Sequence, residues 1–263
     1  MLPYILDLGF LKIPSYGAAM AAAYLASYYW IIKNADSHYF GKDFLENAVF
    51  YSLLLGLLGG KAFYIVTFWH SFGEDFSSRF YQAFSWENIK AGFVFYGGLI
   101  SACVFLFFYC RRKKISFLKT ADLFAPAAAL AHAIGRIGCF AAGCCHGGPT
   151  ESFMGVVFSH PYCQTDPHYM GIPIHPTQLY ESVGNFIIFA VLSKLYKNKY
   201  FKKEGIILGL YVCSYSVLRF FNEFFRADSR GGFFWGFSQA QVISLVLFTS
   251  ALIFVFKRRK DVR

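Results

Sequence analysis

Arg136, in the stretch GRIGCFAAGCCHGG (135–148), ends an apolar run long enough to cross a bilayer. Arg219, Glu223 and Arg226 form the series RFFNEFFR near the end of another run, and Glu181 follows HPTQLY at the start of a third. A charged side chain inside hydrocarbon costs about 2.5–3.5 kcal/mol on insertion scales, so such positions point to function by default. A guanidinium grips phosphate through paired hydrogen bonds. Gly135 and Gly138, beside Arg136, permit close backbone approach, and Gly-rich backbone also binds anions. The chemistry these residues suit is the holding of a phosphate, and the phosphate native to a membrane is a phospholipid headgroup. Arg219 and Glu223 are four apart and share a helix face. Mutual ion pairing within a bundle, or snorkelling to the surface, is the structural alternative, and for Asp122 it is the preferred one.

The chain has seven cysteines. Cys103, Cys110 and Cys213 lie inside apolar runs and read as packing residues. Cys139, Cys144, Cys145 and His146, with His132 upstream, invite a metal reading. The spacing is not a C-x-x-C pair and adjacent cysteines make poor tetrahedral chelators, so no metal is expected. A disulfide from Cys144 or Cys145 to Cys163 is the favoured reading, because the space outside the membrane is oxidising. A nucleophilic thiol activated by a nearby arginine and buried inert thiols stay open. His175, in IHPTQLY, suits a base or a helix-entry histidine bonded to backbone.

These residues need a scaffold, and composition says which. Hydrophobic residues make up 56% of the 263, aromatics 21% and charged residues only 15%, against roughly a quarter charged in soluble domains. Apolar runs reach the about 18–20 residues that cross a bilayer as helix. The expected fold is all-α, a polytopic bundle of about seven transmembrane helices forming one integral-membrane domain over 1–263. The spans fall at about 15–33, 46–69, 91–110, 121–143, 177–196, 205–226 and 238–256. The net charge of +10 sits in short clusters (Arg111–Lys114, Lys194–Lys203, Lys257–Lys260) between or after spans, a membrane pattern that argues against nucleic acid. All three clusters fall on one side, which places the N-terminus outside and the C-terminus in the cytoplasm. The outer connections 70–90, 144–176 and 227–237 carry few cations and include Glu74, Asp75, Glu87, Glu151, Asp166 and Asp228. Segment 70–90 suits an amphipathic interfacial stretch. Segment 144–176, rich in Pro and Gly, reads as an irregular, partly ordered loop over the outer mouth. The N-terminal MLPYILDLGFLKIP has no basic start and no small-residue cleavage pattern, so a cleavable signal peptide is not expected.

GRIGCFAAGCCHGGPT resembles the signature of the prolipoprotein diacylglyceryl transferases, usually GRIGNFINGE-x-x-G. Further motifs follow in that family's order: SYG (15–17), LLGGKAFY (57–64), FYGGLIS (95–101), HPTQLYE (175–181) and RFFNEFFRAD (219–228). The resemblance covers nearly the whole chain. It implies transfer of the diacylglyceryl group of phosphatidylglycerol to the lipobox cysteine thiol of a preprolipoprotein, with glycerol phosphate leaving and a thioether formed. By the same resemblance Arg136 and Arg219 hold the headgroup phosphate and stabilise the leaving group. Glu223 and Arg226 position Arg219 or complete the polar cavity. Tyr16 and a Gly97–Gly98 turn line the site, with Cys139, Gly147 and His175 also at the substrate. No metal or organic cofactor is implied. The implied partners are the phospholipid and the lipobox protein, and the implied location is the bacterial cytoplasmic membrane with the site facing the outer leaflet.

The departures from the family pattern are specific. The histidine before Gly-Gly-Leu is Tyr96 here, and tyrosine, with a reference pKa of about 10, is a poorer base at neutral pH. The signature Asn is Cys139, the acidic residue after Asn-Gly is Cys144, and Lys61 replaces an arginine. Tyr96 or His146 is then expected to take the missing base's role. The alternatives are a phospholipid-dependent transferase with another acceptor, acting through a thiol adduct at Cys144 or Cys145, and a lipid-binding or redox-linked membrane protein without transferase activity.

Overall fold

A computed structural model describes residues 2–8, 12–90, 92–227, 233–234 and 236–260. Asp228 lies outside the described residues. The helices are α1 (Ser15–Asn34), α2 (Lys42–Thr67), α3 (Phe76–Ala83), α4 (Trp86–Lys90), α5 (Phe95–Lys113), α6 (Phe117–Ala142), α7 (Thr177–Lys197), α8 (Ile206–Asn222) and α9 (Gln239–Lys260). Each predicted span coincides with one of the long helices. Three of these (α2, α6 and α9) are long and apolar enough to cross a membrane by length and composition. The basic clusters occupy helix ends: Arg111–Lys113 close α5, Lys194 and Lys197 close α7, and Lys257–Lys260 close α9. There they also complement the negative end of the helix dipole.

The chain divides into two compact units, residues 1–34 with 121–263, and residues 35–120. In the first, a hairpin of β1 (Tyr4–Asp7) and β2 (Lys12–Pro14) leads into α1. Ala125 and Ala129 of α6, Ile188 and Leu192 of α7 and Ile207 of α8 form its apolar core. Trp30 of α1 packs edge-on against Phe189. Helix α7 shows the inverted pattern of a membrane protein. Gln178, Glu181, Ser182 and Asn185 are buried, whereas Val183, Ile187 and Val191, one turn apart, are more than half exposed. A polar interior with an apolar exterior suits lipid as the surrounding solvent.

Asp122 carries out a structural task that differs from ion pairing. Its carboxylate accepts from the backbone N–H groups of Gly205 (2.6 Å) and Leu208 (2.8 Å) at the start of α8. It satisfies donors that a helix N-terminus leaves open, and does so from another helix.

The second unit is built on α2 and α5, which run antiparallel. A Cβ on Gly98 would lie 2.8 Å from the Gly56 carbonyl oxygen, and one on Gly97 would lie 2.4 Å from the Phe63 side chain. These glycines form a small-residue seam that lets two helices approach. One expectation is corrected: Gly97 and Gly98 belong to the first turn of α5 and do not form a separate turn. The Gly59–Gly60–Lys61 stretch lies inside α2. Lys61 Nζ donates to the Asn88 carbonyl and sits 4.9 Å from the Tyr64 ring centroid. Segment 70–90 is largely helical. Asp75 caps α3, its carboxylate accepting from the Ser78 N–H (3.1 Å) and hydroxyl (2.7 Å). Phe76, Phe80 and Phe84 line up along α3 and are exposed, the arrangement expected of an interfacial helix.

Segment 144–176 is ordered throughout. Strands β3 (Val156–Val157) and β4 (Pro173–Ile174) pair within it, and bridges join Gly147 to Arg226 and Pro149 to Ile174. Phe158 is fully buried against Phe140. A final short hairpin, β5 (Phe233–Phe234) with β6 (Phe237–Ser238), precedes α9.

Candidate active site

Glu181 is the centre of the polar interior of the first unit. Its carboxylate is fully buried and pairs with Arg136, whose Nη2 donates to Oε1 at 2.9 Å. The Tyr215 hydroxyl donates to the same oxygen at 3.0 Å, and Asn222 Nδ2 to Oε2 at 3.1 Å. His132 Nε2 lies 3.7 Å from Oε1, its ring 4.7 Å from that of Tyr215. Helix periodicity explains the gathering. His132 and Arg136 are one turn apart on α6, and Tyr215, Arg219 and Asn222 follow one face of α8.

A second cluster continues from the end of α8. Arg219 Nη1 is 2.6 Å from Glu223 Oε2, and Arg226 Nε is 3.9 Å from the same oxygen. Ser238 Oγ donates to Glu223 Oε1 at 2.9 Å. Both arginines are largely buried. Among the described residues, the guanidinium groups of Arg136, Arg219 and Arg226 face the carboxylates of Glu181 and Glu223, which leaves one net positive charge. The buried Nε of Arg136 has no hydrogen-bond partner among the described residues. A buried cationic donor in that state is costly and suits an anionic ligand.

The HPTQLYE stretch ties this interior to the cysteine loop. Thr177 Oγ1 donates to the Cys145 carbonyl at 2.9 Å and Gln178 Nε2 to the Cys144 carbonyl at 2.7 Å. Glu181, one turn further on, reaches Arg136. The loop itself starts with a Schellman closure of α6. Gly143 N–H bonds to the Phe140 carbonyl, Cys144 N–H bonds to the Cys139 carbonyl, and Gly143 takes the left-handed φ of +80°. The chain therefore folds back on itself, and Cys145 is also left-handed at φ 60°. The Cys139, Cys144 and Cys145 sulfurs come within 4.8 Å of one another. Neither the missing C-x-x-C pair nor the adjacency of Cys144 and Cys145 indicates this proximity, because the helix closure brings Cys139 to them. All seven cysteines are free thiols in this structure, and the thiol neighbour that the helix closure gives Cys144 is Cys139. Hydrogen bonding with the Cys139 and Cys145 thiols, and then burial, hold the Cys144 thiol above its ordinary range, the reverse of an activated nucleophile.

The remaining candidates separate clearly. His146 is buried with both ring nitrogens engaged: Nδ1 is 2.9 Å from the Gly147 carbonyl and Nε2 accepts from the Asp166 N–H at 3.3 Å. That pairing braces the loop through both ring nitrogens. His175 bonds through Nδ1 to the Tyr180 hydroxyl at 3.1 Å rather than to backbone. Gly147 passes between two strands of backbone, where a Cβ would lie 2.4 Å from the Phe225 carbonyl oxygen. Tyr16 stands in the first turn of α1, which crosses α6 at Gly138; a Cβ there would be 2.7 Å from that of Ala19. Tyr96 is half exposed in the first turn of α5, in the second unit. Sequence reasoning marked Glu181 as a charge needing a reason but gave it no role, weighed His132 only as a metal ligand, and passed over Tyr215, Asn222 and Gln178. The available signal was the heptad spacing of Tyr215 and Asn222 around Arg219 on an otherwise apolar helix.

A family model for the prolipoprotein diacylglyceryl transferases matches residues 3–257. The chain belongs to the prolipoprotein diacylglyceryl transferase family. It is 36% identical over 258 residues, 97% of each chain, to the phosphatidylglycerol–prolipoprotein diacylglyceryl transferase of Clostridium tetani (strain Massachusetts / E88). It is 36% identical over 221 residues (84% of this chain, 82% of the relative) to the enzyme numbered 2 of Clostridium perfringens (strain 13 / Type A). It is 34% identical over 231 residues, 88% of this chain and 85% of the relative, to the Clostridioides difficile (strain 630) enzyme. For this diacylglyceryl transferase family member, then, the polar interior around Glu181 is the region in which the motifs GRIG, HPTQLYE and RFFNEFFR meet.

Proposed function

We propose that the chain transfers the diacylglyceryl group of phosphatidylglycerol to the lipobox cysteine thiol of a prolipoprotein. The reaction takes place in the bacterial cytoplasmic membrane. All seven long helices span it, with the N-terminus outside, the C-terminus in the cytoplasm and the site toward the outer leaflet. The observation that carries the reading is the buried group of Arg136, Arg219 and Arg226 around Glu181 and Glu223, with one net positive charge and a guanidinium N–H that has no hydrogen-bond partner among the described residues. Arg136 and Arg219 also stand toward the C-terminal ends of α6 and α8, whereas the basic clusters of the same unit close α7 and α9.

In this reading the acceptor sulfur attacks the glycerol carbon that carries the phosphate. The carbon–sulfur bond forms, the carbon–oxygen bond to phosphate breaks, and glycerol phosphate leaves. The guanidinium groups take up the charge that grows on the departing phosphate, in a site that excludes water. The thiol proton needs an acceptor. A phenol such as Tyr96 is a weak base, and both nitrogens of His146 are bonded. His132, an imidazole beside Glu181 and in the arginine-lined interior, takes that role. His132→Gln is expected to lower the transfer rate about 10²–10⁴-fold with the protein still folded. Purified protein in liposomes with labelled phosphatidylglycerol and a lipobox peptide tests both parts. Thioether formation matched by glycerol phosphate release is expected; a folded wild type that modifies no peptide would refute the transferase reading, and a fully active His132→Gln would remove only the base assignment.

A further inference from the structure

The transfer step written above gives no role to the three-thiol cluster, whose construction suits a different ligand. We propose that Cys139, Cys144 and Cys145 form a three-thiolate site for a thiophilic d10 cation, Cu(I) or Zn(II), at the C-terminal end of α6. The backbone builds it. The Schellman closure turns Cys144 back over Cys139, and the left-handed Cys145 brings in the third sulfur. The three sulfurs lie within 4.8 Å of one another. A tetrahedral Zn–S bond of about 2.3 Å separates its sulfurs by about 3.8 Å, so binding requires each pair to close by about 1 Å at most. Side-chain rotation accommodates that.

The donor set selects the ion. It is all sulfur, with no carboxylate or imidazole in the group, and soft thiolates favour Cu(I) and Zn over hard cations. Three protein ligands match trigonal Cu(I), or Zn(II) with a small exogenous fourth ligand. The loop is braced before any ion arrives, since Gln178 and Thr177 hold the Cys144 and Cys145 carbonyls. Such supporting hydrogen bonds tune metal sites by about 10–100-fold in affinity. The charge is also answered. Three thiolates leave an occupied site anionic, and the Arg136 guanidinium is carried one helical turn before Cys139 on α6. Binding releases the thiol protons to solvent. Cys163 lies outside the group.

The proposal does not depend on the transferase reading, and its test does not read activity. Full-length protein in detergent, reduced and stripped with chelator, is titrated anaerobically with Cu(I) and with Co(II) as a coloured stand-in for Zn(II). One equivalent is expected per chain, with thiolate-to-cobalt charge-transfer absorption in the Co(II) arm if the site takes Zn(II). Cys139→Ser, Cys144→Ser and Cys145→Ser are each expected to weaken binding at least about 10-fold, Gln178→Ala by about 10-fold, and Cys163→Ser not at all. A second measurement needs no variant: the bound cation should protect Cys139, Cys144 and Cys145, but not Cys163, from alkylation as read by mass spectrometry. Failure of the folded, reduced wild type to bind either cation stoichiometrically would overturn the site. So would equal alkylation of the three thiols with and without cation.

Discussion

Replacing Glu181 by leucine isolates the strongest interaction in the interior. The carboxylate is fully buried and Arg136 nearly so, so its loss strands a buried guanidinium, and breaking one side of such a pair costs about 3–5 kcal/mol. Tyr215 and Asn222 lose their acceptor as well, at about 0.6 kcal/mol each on the scale of hydrogen bonds inside membrane bundles. The single variant should therefore be destabilised by about 4–6 kcal/mol. Arg136→Leu should cost a similar amount, for the stranded carboxylate. The double variant Arg136→Leu/Glu181→Leu removes both charges, and exchange of a buried pair for apolar side chains is often neutral or stabilising. It should fall within about 2 kcal/mol of wild type, yet carry no transfer activity. The assay is denaturant unfolding in mixed micelles for all four proteins, with lipid transfer measured beside it. If Glu181→Leu is as stable as wild type, or the double variant no more stable than either single, the pair is not what organises this interior.

Two other predictions concern the scaffold. Gly138→Leu should destabilise the protein by about 1–3 kcal/mol, because its Cβ would meet Ala19 on α1; Ala19→Gly in the same chain should recover part of the loss, measured by thermal unfolding. Hydrogen bonds from the Ser78 hydroxyl and amide hold the Asp75 carboxyl below the ordinary carboxylate range. The α3 cap is then fully in place above the ordinary value of about 3.9 and is lost as pH falls from there through the lowered value. The protection factor for amide exchange at the start of α3, taken against the intrinsic rate at each pH, should fall in acid for wild type. In Asp75→Asn, whose side chain does not titrate, that acid response should be absent.

The long helices were legible because apolar run length and the placement of Lys and Arg encode them directly. Asp122 was legible as a structural residue, but its partner was not, since backbone N–H groups at a helix start have no sequence signature in the residue that caps them. Glycine identity was misleading in one place. Gly97 and Gly98 read as a turn, yet a glycine pair serves equally as a seam between helices, and only the partner helix distinguishes the two uses. The approach of Cys139 to Cys144 and Cys145 was hidden for a related reason: linear spacing does not show that Gly143 reverses the chain at a helix end. Glu181 was visible as an intramembrane acid, but its pairing with Arg136 required knowing that α6 and α7 pack at that level, which is long-range information.

The measurement that tests the central claim most directly is transfer of labelled diacylglyceryl to a lipobox peptide by wild type, Arg219→Ala and Arg219→Lys. If the guanidinium holds the departing phosphate, alanine should lower the rate about 10²–10³-fold, the loss seen when one preorganised donor is removed. Lysine should recover little, because its point charge lacks the planar fork. Wild-type rates from a folded Arg219→Ala protein would contradict the claim.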